Sequence, residues 1–273
     1  MKNKTPRVNS DQFINISTKE IAYLLGFLWA DGYIVKNRNE IRLEIVNDDL
    51  IELFPLLDKT GSWNYSVRNR GDKPIGLVTT FNKEIHSFLI ENDYDKKSYI
   101  SADKILAKIP DDLKHYFFRG LIDGDGCFYL RNIDNQKIKK TLIISGSHNQ
   151  DWSFVSTICD ELNLKHYIYQ HQNENSSSSF EMNGENAKLF GDYIYTNRLE
   201  DNIGLTRKYI KYQKLTDSFN MSKRKVMKDT KSLAIELYHN GMSIVDIIKT
   251  IPISSTTLRR LLKGSKFTIS KTN

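Results

Sequence analysis

A nine-residue segment occurs twice in this chain. Residues 24–32 read LLGFLWADG and residues 118–126 read FRGLIDGDG, with Gly26/Gly120, Asp31/Asp125 and Gly32/Gly126 in register at a constant offset of 94 residues. Such a repeat constrains the fold more than composition does, because each copy must build the same supersecondary unit.

The flanking patterns repeat as well. The first copy opens with a helical stretch at residues 19–34. YIVKN and EIRLEIVN then alternate apolar and polar residues with period two, the pattern of half-buried strands. DDLIELFPLLDKTG reads as a helix that Pro55 is expected to disturb. NYSVRNR and PIGLVTTFN return to strands, and KEIHSFLIEND to a helix. The second copy opens at 113–130 and continues with strands CFYLRN and KKTLIISGS, helix DWSFVSTICDELNL, strands KHYIYQHQ and SSFEMNG, and helix AKLFGDYIYTN. Each copy therefore reads helix, two strands, helix, two strands, helix, with residues 101–112 as the connection. The predicted class is α+β, with two pseudo-symmetric αββαββα lobes at 1–108 and 109–220.

The character changes after residue 220. Residues 221–273 hold 11 Lys/Arg and 3 Asp/Glu, against 29 and 30 in residues 1–220. A basic tail on a nearly neutral body suits a polyanionic partner, although a solubilising tail has the same composition. Residues 221–229 read as a basic linker. Residues 230–273 read as a small all-α domain of three short helices, broken at Gly241 and at IPIS. Leu233, Ile235, Leu237, Ile244, Ile247, Ile248, Leu258 and Leu261 are its expected core, and Ser254 or Ser255 caps the third helix.

The paired Asp-Gly ends carry the chemistry. A carboxylate at a helix C-terminus opposes the helix dipole at about 0.3–1 kcal/mol, and the following glycine is expected to form a left-handed cap. Gly26 and Gly120 lie mid-helix, where glycine costs roughly 1 kcal/mol relative to alanine, so their lack of a side chain points to two helices in close approach. Side by side, those helices would bring Asp31 and Asp125 to one end, near a pseudo-twofold axis. Two carboxylates so placed repel unless a cation lies between them. An open site of oxygen ligands suits Mg²⁺. On a twofold axis, such a site suits hydrolysis of two phosphodiesters, one per DNA strand.

Here the two segments resemble the paired signature of the LAGLIDADG homing endonucleases, in their single-chain, two-lobed form. FRGLIDGDG matches closely; LLGFLWADG carries Trp29 where the signature has its first Asp, a position that Asp123 keeps in the second copy. The resemblance spans about residues 18–215. It implies a site-specific double-strand DNA endonuclease that uses two or more Mg²⁺ ions, with Mn²⁺ as a substitute. Asp31 and Asp125 would be the metal ligands, with Ala30 and Gly124 beside them. DYDKKSYI (93–100) and GLTRKYIK (204–211) resemble the segments that bring a basic catalytic residue to each site. They point to Lys97 and to Lys208, with Arg207 as competitor, and Asn47 and Ser147 are weaker candidates for positioning solvent.

The same resemblance implies a saddle of sheets on a long duplex target. Ile41, Leu43 and Ile45, then Tyr65 and Val67, are expected to face the helices. Arg42, Glu44, Ser66, Arg68 and Arg70 would face out. Arg131, Lys140, Gln170 and Gln172 are the counterparts in lobe two. Arginine reads guanine and glutamine reads adenine in the major groove. Lys223, Arg224 and Lys225 resemble an arm that enters a minor groove. Ser255, Thr256, Thr257, Arg259 and Arg260 would line the major groove from a helix-turn-helix similar to those of recombinases.

No apolar run is long enough for a transmembrane helix, and the first residues lack a secretory signal. Two cysteines without metal-like spacing suggest reduced thiols in a cytoplasmic or organellar setting. A monomer is expected, without a membrane partner. Two alternatives stay open: a non-cutting regulator, since WhiA-type proteins join a degenerate LAGLIDADG body to a helix-turn-helix, and a maturase that binds intron RNA.

Overall fold

The computed structural model describes residues 10–71, 73–134, 137–170, 177–220, 223–251, 253 and 255–264. They form two compact units, which divide after Leu215. In the first unit, α1 (Ser10–Ile14) precedes the motif helix α2 (Lys19–Asp31), then β1 (Gly32–Val35), β2 (Glu40–Val46), α3 (Asn47–Thr60), β3 (Asn64–Arg70), β4 (Lys73–Thr80) and α4 (Lys83–Glu91). A short helix α5 (Asp103–Leu106) lies in the connection. Lobe two repeats the order with α6 (Lys114–Asp125), β5 (Gly126–Asp134), β6 (Lys137–Ser147), α7 (Ser153–Glu161), β7 (Tyr167–Gln170), β8 (Ser177–Asn183) and α8 (Glu185–Ile194), followed by α9 (Arg198–Asp201) and α10 (Thr206–Asn220).

Each lobe holds a four-stranded antiparallel sheet, ordered β1-β2-β4-β3 in one and β5-β6-β8-β7 in the other. The expected α+β architecture and its internal duplication are thus present. Along β2, Ile41, Leu43 and Ile45 are buried while Arg42 and Glu44 keep solvent contact. Tyr65 packs edge-on against Phe54 of α3 at 4.8 Å. Val67, expected to face in, is exposed; it lies on the edge strand. Pro55 does not break α3, which runs unbroken through it. The missing N–H orphans only the carbonyl four residues back, and Ile51 there is exposed to water.

Motif helices α2 and α6 form the seam between the lobes. An ideal Cβ on Gly26 would lie 1.8 Å from the Phe117 carbonyl oxygen, and one on Gly120 2.1 Å from that of Tyr23. Two backbones in direct contact explain why helix-destabilising glycines stand there. Gly32 and Gly126 differ from expectation: both are extended (φ −71° and −89°), not left-handed. Each helix runs straight into its strand. Glycine is needed instead because a side chain would strike the preceding helical turn, at the Leu28 carbonyl oxygen (2.4 Å) or Ile122 Cα (2.8 Å).

Arg119 is wholly buried and staples α6 to the chain that leads into α10. Its guanidinium donates to the Ile194, Thr196 and Ile203 carbonyls and to Asp201, with its Cζ 4.6 Å from the Tyr116 ring centre. Arg119→Met would leave the buried Asp201 carboxylate without its cation, held only by the Tyr116 hydroxyl and the Ile203 N–H, so we expect a loss of about 3–5 kcal/mol, read as a lower denaturant midpoint at unchanged slope.

In the second unit, α11 (Lys223–His239), α12 (Ile244–Thr250) and α13 (Ser255–Gly264) pack around Ala234, Ile247 and Leu258. Gly241 turns the chain at φ +86°, and Ser243 caps α12 through the Asp246 N–H. Residues 223–229, expected as linker, are the first turns of α11. Lack of apolar periodicity reports burial, not backbone conformation, and Lys and Arg are good helix formers. Leu233 is exposed, and Ala234 takes the central place instead. Ser254 lies outside the described residues. Among the described residues no helix is long and apolar enough to cross a membrane.

Candidate active site at the paired helix ends

The C-termini of α2 and α6 converge at the seam. Gly124 is the counterpart of Ala30, and its ideal Cβ would lie 2.4 Å from Ala30 Cβ and 3.1 Å from the Asp31 carboxylate. The Asp31 side chain thus lies over the end of the opposite lobe's helix. Desolvation raises the pKa of Asp31. Burial first, and then the charge of Asp31, push Asp125 up to about 6.

Two lysines answer the excess negative charge. Lys97 Nζ donates to the Trp29 carbonyl (2.7 Å) and to that of Ala30. Lys208 Nζ donates to the carbonyls of Ile122 (3.4 Å), Gly124 (3.3 Å) and Gly126. Each ammonium caps the negative end of one motif helix. Burial lowers the pKa of Lys97 to about 8, while Asp125 and Asp31 oppose that shift; burial lowers that of Lys208 as well. Lys208, not Arg207, is therefore the counterpart of Lys97. Arg207 instead makes a two-pronged ion pair with Asp49, its Nη2 at 2.6 Å.

A cleft of about 310 Å³ opens beside Asp125, lined among others by Lys97, Ser98, Ser147 and Gln150. Ser147 Oγ donates to the Ser98 carbonyl, and Gln150 Nε2 to that of Lys97 at 2.9 Å. Ser147 thus reaches the site, although its hydroxyl serves the backbone. Asn47 is the first residue of α3.

The motif asymmetry also has a structural role. Asp123 is buried and accepts from the Leu205 N–H (2.7 Å) and the hydroxyls of Tyr23 (2.9 Å) and Tyr195 (3.3 Å), which pins the chain three residues before Lys208. In lobe one Trp29 stands edge-on to Tyr94 at 4.9 Å, three residues before Lys97. An aromatic contact there does the work of a buried carboxylate.

On the solvent-facing sides of the sheets, Arg42 is ion-paired with Glu40 at 2.7 Å and Arg68 with Glu44. Arg131 is exposed at the far end of β5. Lys140 and Gln170 need correction. Leu130 pairs with Lys140 and Ser178 with Gln170, so both share the parity of Leu142, Ile144 and Phe180, which face the helices. A one-residue shift in register turns a side chain to the other face. Gln170 is nonetheless exposed on its edge strand and Lys140 half-buried, but the outer face of the sheet carries the exposed Tyr129, Tyr167 and Tyr169, which sequence reasoning missed; the alternation within YIY holds the signal. Gln172 and the side chains of Arg70, Lys223, Arg224 and Lys225 lie outside the described residues. In the second unit Ser255, Thr256, Arg259 and Arg260 line a cleft with Tyr238 and Ile244, while Thr257 turns partly inward beside buried Leu258.

The chain has the fold of the LAGLIDADG homing endonucleases. It is similar to the meganuclease I-SmaMI bound to uncleaveable DNA, at 12% identity and a TM-score of 0.50 over 75% of this chain and 90% of that one. Two further similar structures are the LAGLIDADG homing endonuclease I-LtrWI bound to target DNA (16% identity, TM-score 0.49, 79% and 92% of the two chains) and full-length WhiA from Thermatoga maritima (15%, 0.44, 93% and 93%). No protein-family description matches the sequence, and no curated protein does.

The oxygen-only site fits a hard divalent cation. Burial first, and then the charge of Asp31, raise the affinity of Asp125 for a proton, a cost that a cation between the two carboxylates would offset. The Ala30 and Gly124 carbonyls each hold a lysine Nζ and keep a second lone pair. Among the described residues no three His, Cys, Asp or Glu side chains gather into a metal cluster, so carboxylates and carbonyls are the donors on offer.

Proposed function

We propose that this chain is a site-specific endonuclease that hydrolyses both strands of a long DNA duplex. The observation that carries the reading is the pair of carboxylates at two packed helix ends, each helix end capped by a lysine ammonium. Mg²⁺ held by Asp31 and Asp125 would polarise the scissile phosphates and activate water. Lys97 and Lys208 would supply positive charge where negative charge develops on the phosphorane, preset by their carbonyl contacts. The Ser147 and Gln150 side chains hold the Lys97 segment in place while it does so.

Recognition is assigned to the solvent-facing sheet surfaces, whose Arg42, Arg68, Arg131 and tyrosines suit a groove and its thymine methyls. The Ser255–Arg260 face of α13, read as the second helix of a helix-turn-helix, adds a further grip. Deleting residues 221–273 should weaken binding on the order of 10-fold or more at physiological salt and flatten its salt dependence, while slowing cleavage of bound duplex little. Titration of a labelled duplex at several salt concentrations checks this.

The reading is tested by incubating the protein with a randomised duplex library in Mg²⁺ and sequencing new ends. Paired cuts on opposite strands, leaving short 3′ overhangs, are expected. Enrichment of bound but uncut duplex by the unaltered protein would assign it to the non-cutting regulators instead.

With limiting cation, the cleavage rate should fall as pH drops through about 6, where Asp125 gains a proton. It should fall again above about 8 as Lys97 loses its charge. A pH profile flat from 5 to 9 would contradict both assignments.

A further inference from the structure

The strand registers identify a pair of equivalent residues that the motif does not contain. Gly32 pairs with Leu43 and Gly126 with Ile144, so the residue six positions beyond is Asp49 in lobe one and Gln150 in lobe two. Each reaches across the seam to the segment that carries the other lobe's lysine. Gln150 Nε2 donates to the Lys97 carbonyl at 2.9 Å, an uncharged clamp. Asp49 accepts from Arg207 Nε at 2.7 Å and Nη2 at 2.6 Å, a charged one.

Three details make the Asp49 clamp the stronger. Asp49 is buried while Arg207 keeps half its side chain in solvent, so the carboxylate is the fixed element and the arginine is drawn to it. A bidentate arginine–carboxylate pair fixes orientation as well as distance. Glu52, one turn further along α3, accepts from the Thr206 N–H at 2.8 Å. The first turn of α10 is thereby tied to lobe one at residues 206 and 207, and the next residue is Lys208, whose ammonium lies on the end of α6.

We propose that Asp49 is a positioning residue acting across the seam: it fixes Lys208, and so governs cutting of one DNA strand, whereas Gln150 fixes Lys97 and governs the other. The inference rests on the endonuclease reading. If the two lysines serve separate phosphodiesters, disturbing one clamp uncouples the strands. An inter-lobe tie without this role would lower stability and slow both strands alike.

The test uses the duplex recovered by the cleavage selection, with a different fluorophore on each strand, in Mg²⁺ under single-turnover conditions. Asp49→Asn is expected to slow one strand about 10²-fold, the cost of a misplacement near 1 Å, and the other by about twofold at most, so nicked duplex accumulates. Asp49→Glu should restore much of the rate, and Gln150→Ala should slow the opposite strand. Arg207→Lys keeps the charge but loses the fork; it must slow one strand alone, the one that Gln150→Ala spares, which keeps the test open if the Asp49 variant fails to fold. Equal slowing of both strands, or of neither, overturns the inference. Failure of the unaltered protein to cut either strand overturns the endonuclease reading and this inference with it, before any variant is compared.

Discussion

A single added methyl group at Gly26 is expected to destabilise this protein strongly. The Cβ of Gly26→Ala would lie 1.8 Å from the Phe117 carbonyl oxygen and 3.0 Å from its Cα. These are backbone atoms of α6, which cannot rotate away as a side chain would, so the helices must separate. Overpacking of a tight core costs about 1–3 kcal/mol, and more where the backbone has to move. The roughly 1 kcal/mol that alanine gains over glycine in a helix cannot offset it. Gly120→Ala meets Tyr23 at 2.1 Å and should behave alike. The carboxylates sit at the ends of these helices, so any folded remainder should also be inactive. Denaturant unfolding checks the first part: a midpoint within error of the unaltered protein would mean that the seam is looser than described.

The second large effect is at Asp125. Asp125→Asn should lower the cleavage rate by at least about 10²–10³-fold, the cost of removing one group that stabilises transition-state charge, with DNA affinity kept. It should do the opposite to stability without cation. Burial and the neighbouring Asp31 raise the carboxyl to about 6 in the folded chain, against about 3.9 unfolded. A carboxyl raised on folding binds its proton more tightly in the native state. Its stabilising contribution is therefore present below pH 4 and lost as pH rises through about 6. At pH 7.5 the folded chain carries the charge at a cost that asparagine removes, on the order of 2 kcal/mol after allowance for residual solvent. The cation-free Asn variant should melt higher than the parent at pH 7.5 and about level with it at pH 4. Equal melting temperatures at both pH values would show that the site is not strained by charge.

Much of this was legible in the sequence because it depends on local pattern. The period-two alternation of EIRLEIVN gives β2 and its buried face, and the duplicated Gly and Asp positions give the seam and the converging acids. Lys97 and Lys208 were found through resemblance alone; nothing local to DKKSYI or TRKYIK says that an ammonium will fold back onto a helix end. Register was the weak point. Lys140 and Gln170 keep contact with solvent but belong by register to the helix-facing side, and that one position of slip hid Tyr129, Tyr167 and Tyr169. The clamp of Asp49 on Arg207 spans 158 residues and joins a helix start to another helix start, so no windowed pattern contains it. Arg119 and Asp123 read as ordinary motif members, whereas burial makes them the ties between α6 and the chain entering α10. In the tail, the basic run at 223–225 reads as linker but belongs to a continuous helix.

The paired-carboxylate nuclease site is tested most directly by cleavage of the selected duplex by three proteins, with both strands followed on a denaturing gel in Mg²⁺ and in EDTA. The parent chain should make staggered cuts in both strands in Mg²⁺ alone, and Asp31→Asn and Asp125→Asn should bind without cutting. Cutting that survives in both variants, or that persists in EDTA, would contradict that assignment.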